Sequence, residues 1–103
     1  MLELPDYDVT VWIHYSKFGK KLEEEILSIS DITPYESTEY GGYKDMHWDF
    51  KTWDEAIDFT ENLKELTNNP NFIFLKASNR NDPDASIVCK DERPMKKSSP
   101  KNA

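Results

Sequence analysis

The fold of this chain is decided by residues 35–50, whose sequence is YESTEYGGYKDMHWDF. Two extended runs flank Gly41 and Gly42. The central positions of the tightest hairpin turns need a positive φ angle, which glycine adopts without steric cost. The stretch therefore predicts a β-hairpin. In its second strand, one face holds Met46, Trp48 and Phe50, and the other holds Asp45, His47 and Asp49.

A second strand with the same two-residue period lies near the start of the chain. Its apolar face holds Tyr7, Val9, Val11, Ile13 and Tyr15. Its polar face holds Asp8, Thr10, Trp12 and His14. Strict alternation of β-branched and aromatic residues with polar ones is typical of a strand that buries one face.

Two segments have helical periodicity instead. The first follows Ser16, a plausible N-cap, and carries an apolar stripe of Phe18, Leu22, Ile26 and Ile29. The second opens with a capping box formed by Thr52 and Glu55. Its predicted stripe consists of Trp53, Ala56, Ile57, Thr60, Leu63 and Leu66.

The remaining apolar segments complete one pattern of elements. Residues 72–77 form an apolar run of strand length, and residues 86–90 fit a short fifth strand. The order strand, helix, strand, strand, helix, strand predicts an α+β fold. We interpret it as a ferredoxin-like βαββαβ two-layer sandwich with both helices on one face of an antiparallel sheet. Residues 1–90 form the single predicted domain, and residues 91–103 a disordered basic tail.

Charge limits the classes of partner. The net charge is −7, and the basic last thirteen residues leave −9 on residues 1–90. A body this acidic repels nucleic acid and anionic membranes, so we expect neither as a partner and favour a basic protein. The only cysteine is Cys89, and residues 1–6 lack the pattern of a signal peptide. Both features predict a cytoplasmic protein.

The candidate site is the sheet face that the helices leave open. Alternation in the two strands predicts that both histidines lie there together, beside an exposed tryptophan and acidic side chains. Tryptophan is enriched at binding hot spots. We therefore predict a partner-binding surface made of Trp12, His14, Asp45, His47 and Asp49.

The same side chains leave two chemical alternatives open. Two imidazoles with Asp45 or Asp49 are a reasonable donor set for a metal, although their spacing matches no known metal motif. A histidine beside a carboxylate can also perform acid–base catalysis. The sequence contains no phosphate loop, dinucleotide fingerprint or nucleophile elbow, so we expect no cofactor and favour a protein that is not an enzyme.

Two functional hypotheses follow. The first is a small acidic, non-catalytic protein-binding domain, of the inhibitor or immunity type, that uses the open sheet face. The second is a homodimeric domain that binds or transforms a small molecule between two packed sheets, with His14 and His47 lining the cavity.

Overall fold

The computed structural model describes residues 6–93, and this part of the chain contains five strands and two helices. The elements are β1 (Tyr7–His14), α1 (Lys17–Ser28), β2 (Glu36–Tyr40), β3 (Tyr43–Phe50), α2 (Trp53–Leu63), β4 (Phe72–Asn79) and β5 (Ile87–Asp91). Short 3₁₀ segments occupy Lys64–Asn68 and Pro83–Ala85. The predicted α+β class is confirmed: all five strands lie in one open antiparallel sheet, and the fifth strand is present.

The strand order is β2-β3-β1-β4-β5, which puts β1 at the centre of the sheet. The predicted hairpin joins β2 to β3 through Gly41 (φ 57°) and Gly42 (φ 84°). These positive φ angles are unfavourable for residues with a Cβ atom, which explains the glycine pair. Within residues 6–93, neither helix is long and apolar enough to cross a membrane.

One hydrophobic core lies between the helices and one face of the sheet. Strands β1 and β3 contribute alternate residues, and β4 contributes residues on both sides of an irregularity in its register with β1. Both helices contribute to the same cluster. Trp48 at its centre is fully buried, and its indole N–H donates a hydrogen bond to the carbonyl oxygen of Ile32 at 3.2 Å. The strand residues in the core are Val9, Val11, Ile13, Met46, Trp48, Phe50, Phe72, Leu75 and Ala77.

Helix α2 begins as predicted, because the Thr52 hydroxyl accepts a hydrogen bond from the Glu55 N–H at 3.1 Å. Its buried stripe includes Phe59, which the predicted periodicity omitted. The Phe59 ring lies 5.0 Å from the ring centre of Trp48 and 5.2 Å from that of Phe50. Aromatic contacts at this distance stabilise a core beyond the area they bury.

The folded part of the chain continues past residue 90, the predicted end of the domain. Strand β5 ends at Asp91, and the Glu92 N–H donates to the carbonyl oxygen of Ile73 at 2.8 Å. Arg93 also packs against the sheet. The rest of the predicted basic tail, residues 94–103, lies outside the described residues.

Helix α1 approaches the sheet through Gly19, and this corrects the predicted stripe. Phe18 was expected in the core but is 68% exposed, whereas Gly19 is buried together with Leu22 and Ile26. A Cβ atom on Gly19 would overlap the backbone carbonyl of His14. A backbone group cannot move aside cheaply, so only glycine lets α1 sit this close to the end of β1.

We expect Gly19→Ala to lower the free energy of unfolding by about 2–3 kcal/mol, because the added methyl group forces the helix away from β1. Helix propensity alone would favour alanine by about 1 kcal/mol, so the sign of the change is diagnostic. Urea unfolding measures it. The exposed residue Glu24 on the same helix provides the control, since Glu24→Ala should stay within about 0.5 kcal/mol of wild type. Equal or greater stability of Gly19→Ala would contradict the close approach.

Candidate functional site

The open face of the sheet is set by the register of β1 with its neighbours. Val9 pairs with Trp48, so their side chains point to the helices, and the next pair, Thr10 with His47, points away. Trp12 likewise lies opposite Asp45. Strand β4 adds Phe74 opposite Trp12. The predicted polar face is therefore the outer face of the two central strands.

At the middle of this face, His47 lies between two carboxylates. Its Nε2 is 3.0 Å from Asp45 Oδ1, and its Nδ1 is 3.4 Å from Asp8 Oδ2. Nδ1 is also 3.1 Å from the hydroxyl oxygen of Thr10, which donates to Asp8 Oδ2 at 2.9 Å. Both ring nitrogens thus face acceptors, as the doubly protonated imidazolium requires. We call Asp8, Thr10, Asp45 and His47 the ionic cluster.

The contacts of the ionic cluster shift its titration. The neighbouring carboxylates of Asp45 and Asp8 outweigh the effect of burial and raise the pKa of His47 to about 10. Burial opposes ionisation of Asp8, but the hydrogen bonds from His47 and Thr10 outweigh it and lower the pKa of Asp8. The histidine is therefore a cation, and Asp8 an anion, throughout the neutral pH range.

Tyr35 covers one side of the ionic cluster. Its hydroxyl donates to the second oxygen of Asp8 at 3.0 Å, and its ring centre lies 6.0 Å from that of His47. Burial and the neighbouring Asp8 carboxylate raise the pKa of Tyr35, so the phenol keeps its proton. The backbone N–H of Tyr35 donates to the carbonyl oxygen of His47 at 2.8 Å, which fixes its position just before β2.

Trp12 was expected to be exposed, and this is wrong: only 7% of the residue is accessible. Tyr40 meets its ring edge-on at 5.8 Å, and Tyr43 lies 6.2 Å away. The Arg93 guanidinium also packs over this ring, 5.8 Å from the Trp12 ring centre and 3.9 Å from that of Phe74. Asp91 holds Arg93 there through two hydrogen bonds of 3.0 Å. Trp12 is the base of an aromatic cluster and not its contact surface.

The two histidines do not converge. His14 lies opposite Tyr43, four positions along β1 from the Thr10–His47 pair, which corresponds to about 13 Å. His14 is exposed and packs against the Tyr43 ring at 5.5 Å. Within residues 6–93, no group of three or more His, Cys, Asp or Glu side chains is arranged to hold a metal ion. The predicted partner-binding residue Asp49 is exposed beside this face, opposite Asp8.

The geometry of the ionic cluster suits binding better than proton transfer. A general base must be unprotonated at the working pH, and its pKa should lie near that pH. A histidine whose pKa is about 10 stays charged instead, and both of its nitrogens already have partners. The cluster therefore presents fixed charges of both signs.

Sequence reasoning placed Asp8 and Thr10 on the open face but did not include them among the site residues. Their alternation with Val9 and Val11 was the available signal. Tyr35 and Arg93 had no such signal, because each lies outside a strand. Tertiary packing brings Tyr35 to Asp8 and brings Arg93 to the rings of Trp12 and Phe74.

Comparisons with protein-family models, with curated proteins and with solved structures give no match to this chain. The functional interpretation therefore depends on the geometry of residues 6–93.

The raised pKa of His47 predicts that the folded state loses stability as the pH rises from about 6.5 to 10. The unfolded imidazole releases its proton near pH 6.5 and the folded one only near pH 10, so the folded state binds more protons in between. After allowance for solvent screening, we expect a loss of about 1–2 kcal/mol. Urea unfolding at several pH values measures it.

His47→Gln should remove most of this slope, because glutamine does not titrate. His14→Gln is the matched control and should keep the wild-type slope, since His14 is exposed and has no ion-pair contact among residues 6–93. Parallel curves for wild type and His47→Gln would contradict the charged state of His47.

Proposed function

We propose that this protein is a small acidic, cytoplasmic, non-catalytic protein-binding domain that uses the open face of its sheet, as inhibitors and immunity-type proteins do. The observation that carries the proposal is the ionic cluster, in which a charged His47 lies between Asp8 and Asp45 on the sheet face opposite the helices. Such fixed charges need no reorganisation when a partner binds, which lowers the cost of association.

The exposed side chains around the cluster support a protein as the ligand. Tyr35 is 50% exposed and Tyr40 is 45% exposed, and both stand beside the cluster at the β2 side of the face. Tyrosine combines a large apolar ring with a polar tip and is enriched at binding hot spots. In this proposal the tyrosines replace Trp12 as the anchoring aromatic residues, and Trp12 supports Tyr40 from below.

Charge supports a basic partner. Glu36 and Asp49 are exposed, and the negative charge of each helps to raise the pKa of the Tyr35 hydroxyl. The two carboxylates therefore lie on the same side of the face. The whole chain carries −7. Complementary charge speeds encounter and suppresses wrong partners more than it raises affinity. A basic surface on the partner, facing the β2 side of the sheet, fits this arrangement.

The finer description of the fold belongs to the same proposal. We interpret the domain as ferredoxin-like, with β5 added outside β4. The order β2-β3-β1-β4 and the two antiparallel pairings of β1 support that interpretation. Fold alone implies no function, so the binding proposal depends on the open face and not on the topology.

The test reverses charge at two exposed positions beside the ionic cluster and leaves the four residues of the cluster unchanged. The double variant Glu36→Lys with Asp49→Lys changes two exposed positions, as does the control Glu24→Lys with Glu25→Lys on α1, on the other side of the sheet. A partner is first captured from source lysate with the wild-type chain and purified. Its affinity for each variant is then measured by calorimetry.

We expect the open-face variant to bind at least tenfold more weakly and the control to bind as wild type. The association rate of wild type should also fall as salt is raised, because exposed charges are screened. Unchanged affinity in the open-face variant, or an equal loss in the control, would contradict the proposed surface.

A further inference from the structure

A pocket of about 360 Å³ lies where the open face meets the chain between β4 and β5. Its volume falls at the lower end of the range found for small-molecule sites. Strand β4 contributes Lys76, and the connection to β5 contributes Arg80, Pro83 and Ser86. Asp8 and Tyr35 close the side nearest the ionic cluster.

Lys76 differs from the other lysines that are at least partly buried. Among residues 6–93 these are Lys44, Lys76 and Lys90. Lys44 pairs with Glu23, and Lys90 Nζ lies 3.7 Å from a carboxylate oxygen of Glu92. Lys76 makes no ion pair with the described residues, although partial burial weakens the hydration of its charge. A partly buried cation that has no carboxylate partner among the described residues is chemically suited to bind an anion.

Arg80 supplies a second positive charge to the same pocket. Its backbone N–H donates to the carbonyl oxygen of Asp6 at 2.8 Å, which fixes the start of the connection. Its exposed guanidinium makes no ion pair with residues 6–93. The planar guanidinium matches carboxylate and phosphate groups, and the lysine ammonium adds a point charge beside it.

The other walls select the kind of anion. Asp6 and Asp8 both line the pocket, and their charges disfavour a ligand with two or more negative charges. Asp8 itself is occupied by His47, Thr10 and Tyr35, so it does not neutralise Lys76. The pyrrolidine ring of Pro83 and the Tyr35 ring provide apolar surface.

We propose that this pocket binds a small organic monocarboxylate, with its carboxylate group on Lys76 and Arg80 and its apolar part against Tyr35 and Pro83. The site is complete within one chain. It shares Asp8 and Tyr35 with the proposed protein-binding surface. The two tests stay distinct, because one alters Lys76 and Arg80 and the other alters Glu36 and Asp49.

The test is a titration of the full chain with benzoate, followed by ¹H–¹⁵N NMR. We expect saturable shifts of the backbone amides of Lys76, Arg80 and Ser86. Benzamide, which has the same ring without the charge, should cause no saturable shift over the same concentrations.

The double variant Lys76→Gln with Arg80→Gln should bind benzoate at least tenfold more weakly while its spectrum stays that of a folded protein. The control Lys17→Gln with Lys21→Gln removes the same charge from exposed positions of α1 and should bind as wild type. Wild-type affinity in the pocket variant, or no saturable benzoate binding by wild type, would overturn the proposal. Saturable binding of inorganic phosphate at these amides without benzoate binding would overturn the assignment to carboxylates.

Discussion

The pairing of β1 with β3, in the register that sets Thr10 opposite His47, is the constraint on which both faces of the sheet depend. Side chains alternate along a strand, so a slip of one residue would turn Trp48 and Met46 to solvent and His47 into the core. The Gly41–Gly42 turn sets the register of β2 with β3. The Tyr15 N–H donates to the carbonyl oxygen of Gly42 at 2.7 Å, and this contact limits the β1–β3 register from one end. Burial of Val9, Val11 and Trp48 limits it along the whole length. The register that packs the core therefore also determines which side chains lie together on the open face.

The positive charge of His47 is stable on the open face because two carboxylates pair with it where the side chain is partly withdrawn from water. His47 is largely withdrawn from water, and an unpaired ion there would cost several kcal/mol. Two carboxylates and the Thr10 hydroxyl offset that cost, but each of them then depends on His47 in return. Removal of His47 would therefore leave the other members of the ionic cluster without their shared partner. Such a cluster fixes the shape and the charge of the surrounding surface, as the proposed protein-binding surface requires.

Much of this arrangement could be predicted from local sequence. Alternation in residues 7–15 and 43–50 gave the two central strands and their faces, and the glycine pair gave the hairpin. Phe18 was misplaced because periodicity cannot show that the helix approaches β1 so closely that only Gly19 fits there. Trp12 was misjudged for a related reason. Its cover comes from Tyr40 and Arg93, which are distant in sequence and reach it only in the assembled sheet.

Ring ¹⁵N NMR of the histidines at pH 8 distinguishes a fixed His47 cation on the open face from an acid–base group. Because Asp8 and Asp45 flank the ring, we expect both ring nitrogens of His47 to show the shifts of a protonated imidazolium at this pH, with His14 as the internal reference. Shifts of a neutral ring tautomer for His47 at pH 8 would contradict the imidazolium assignment, because neither carboxylate would then have a charged partner.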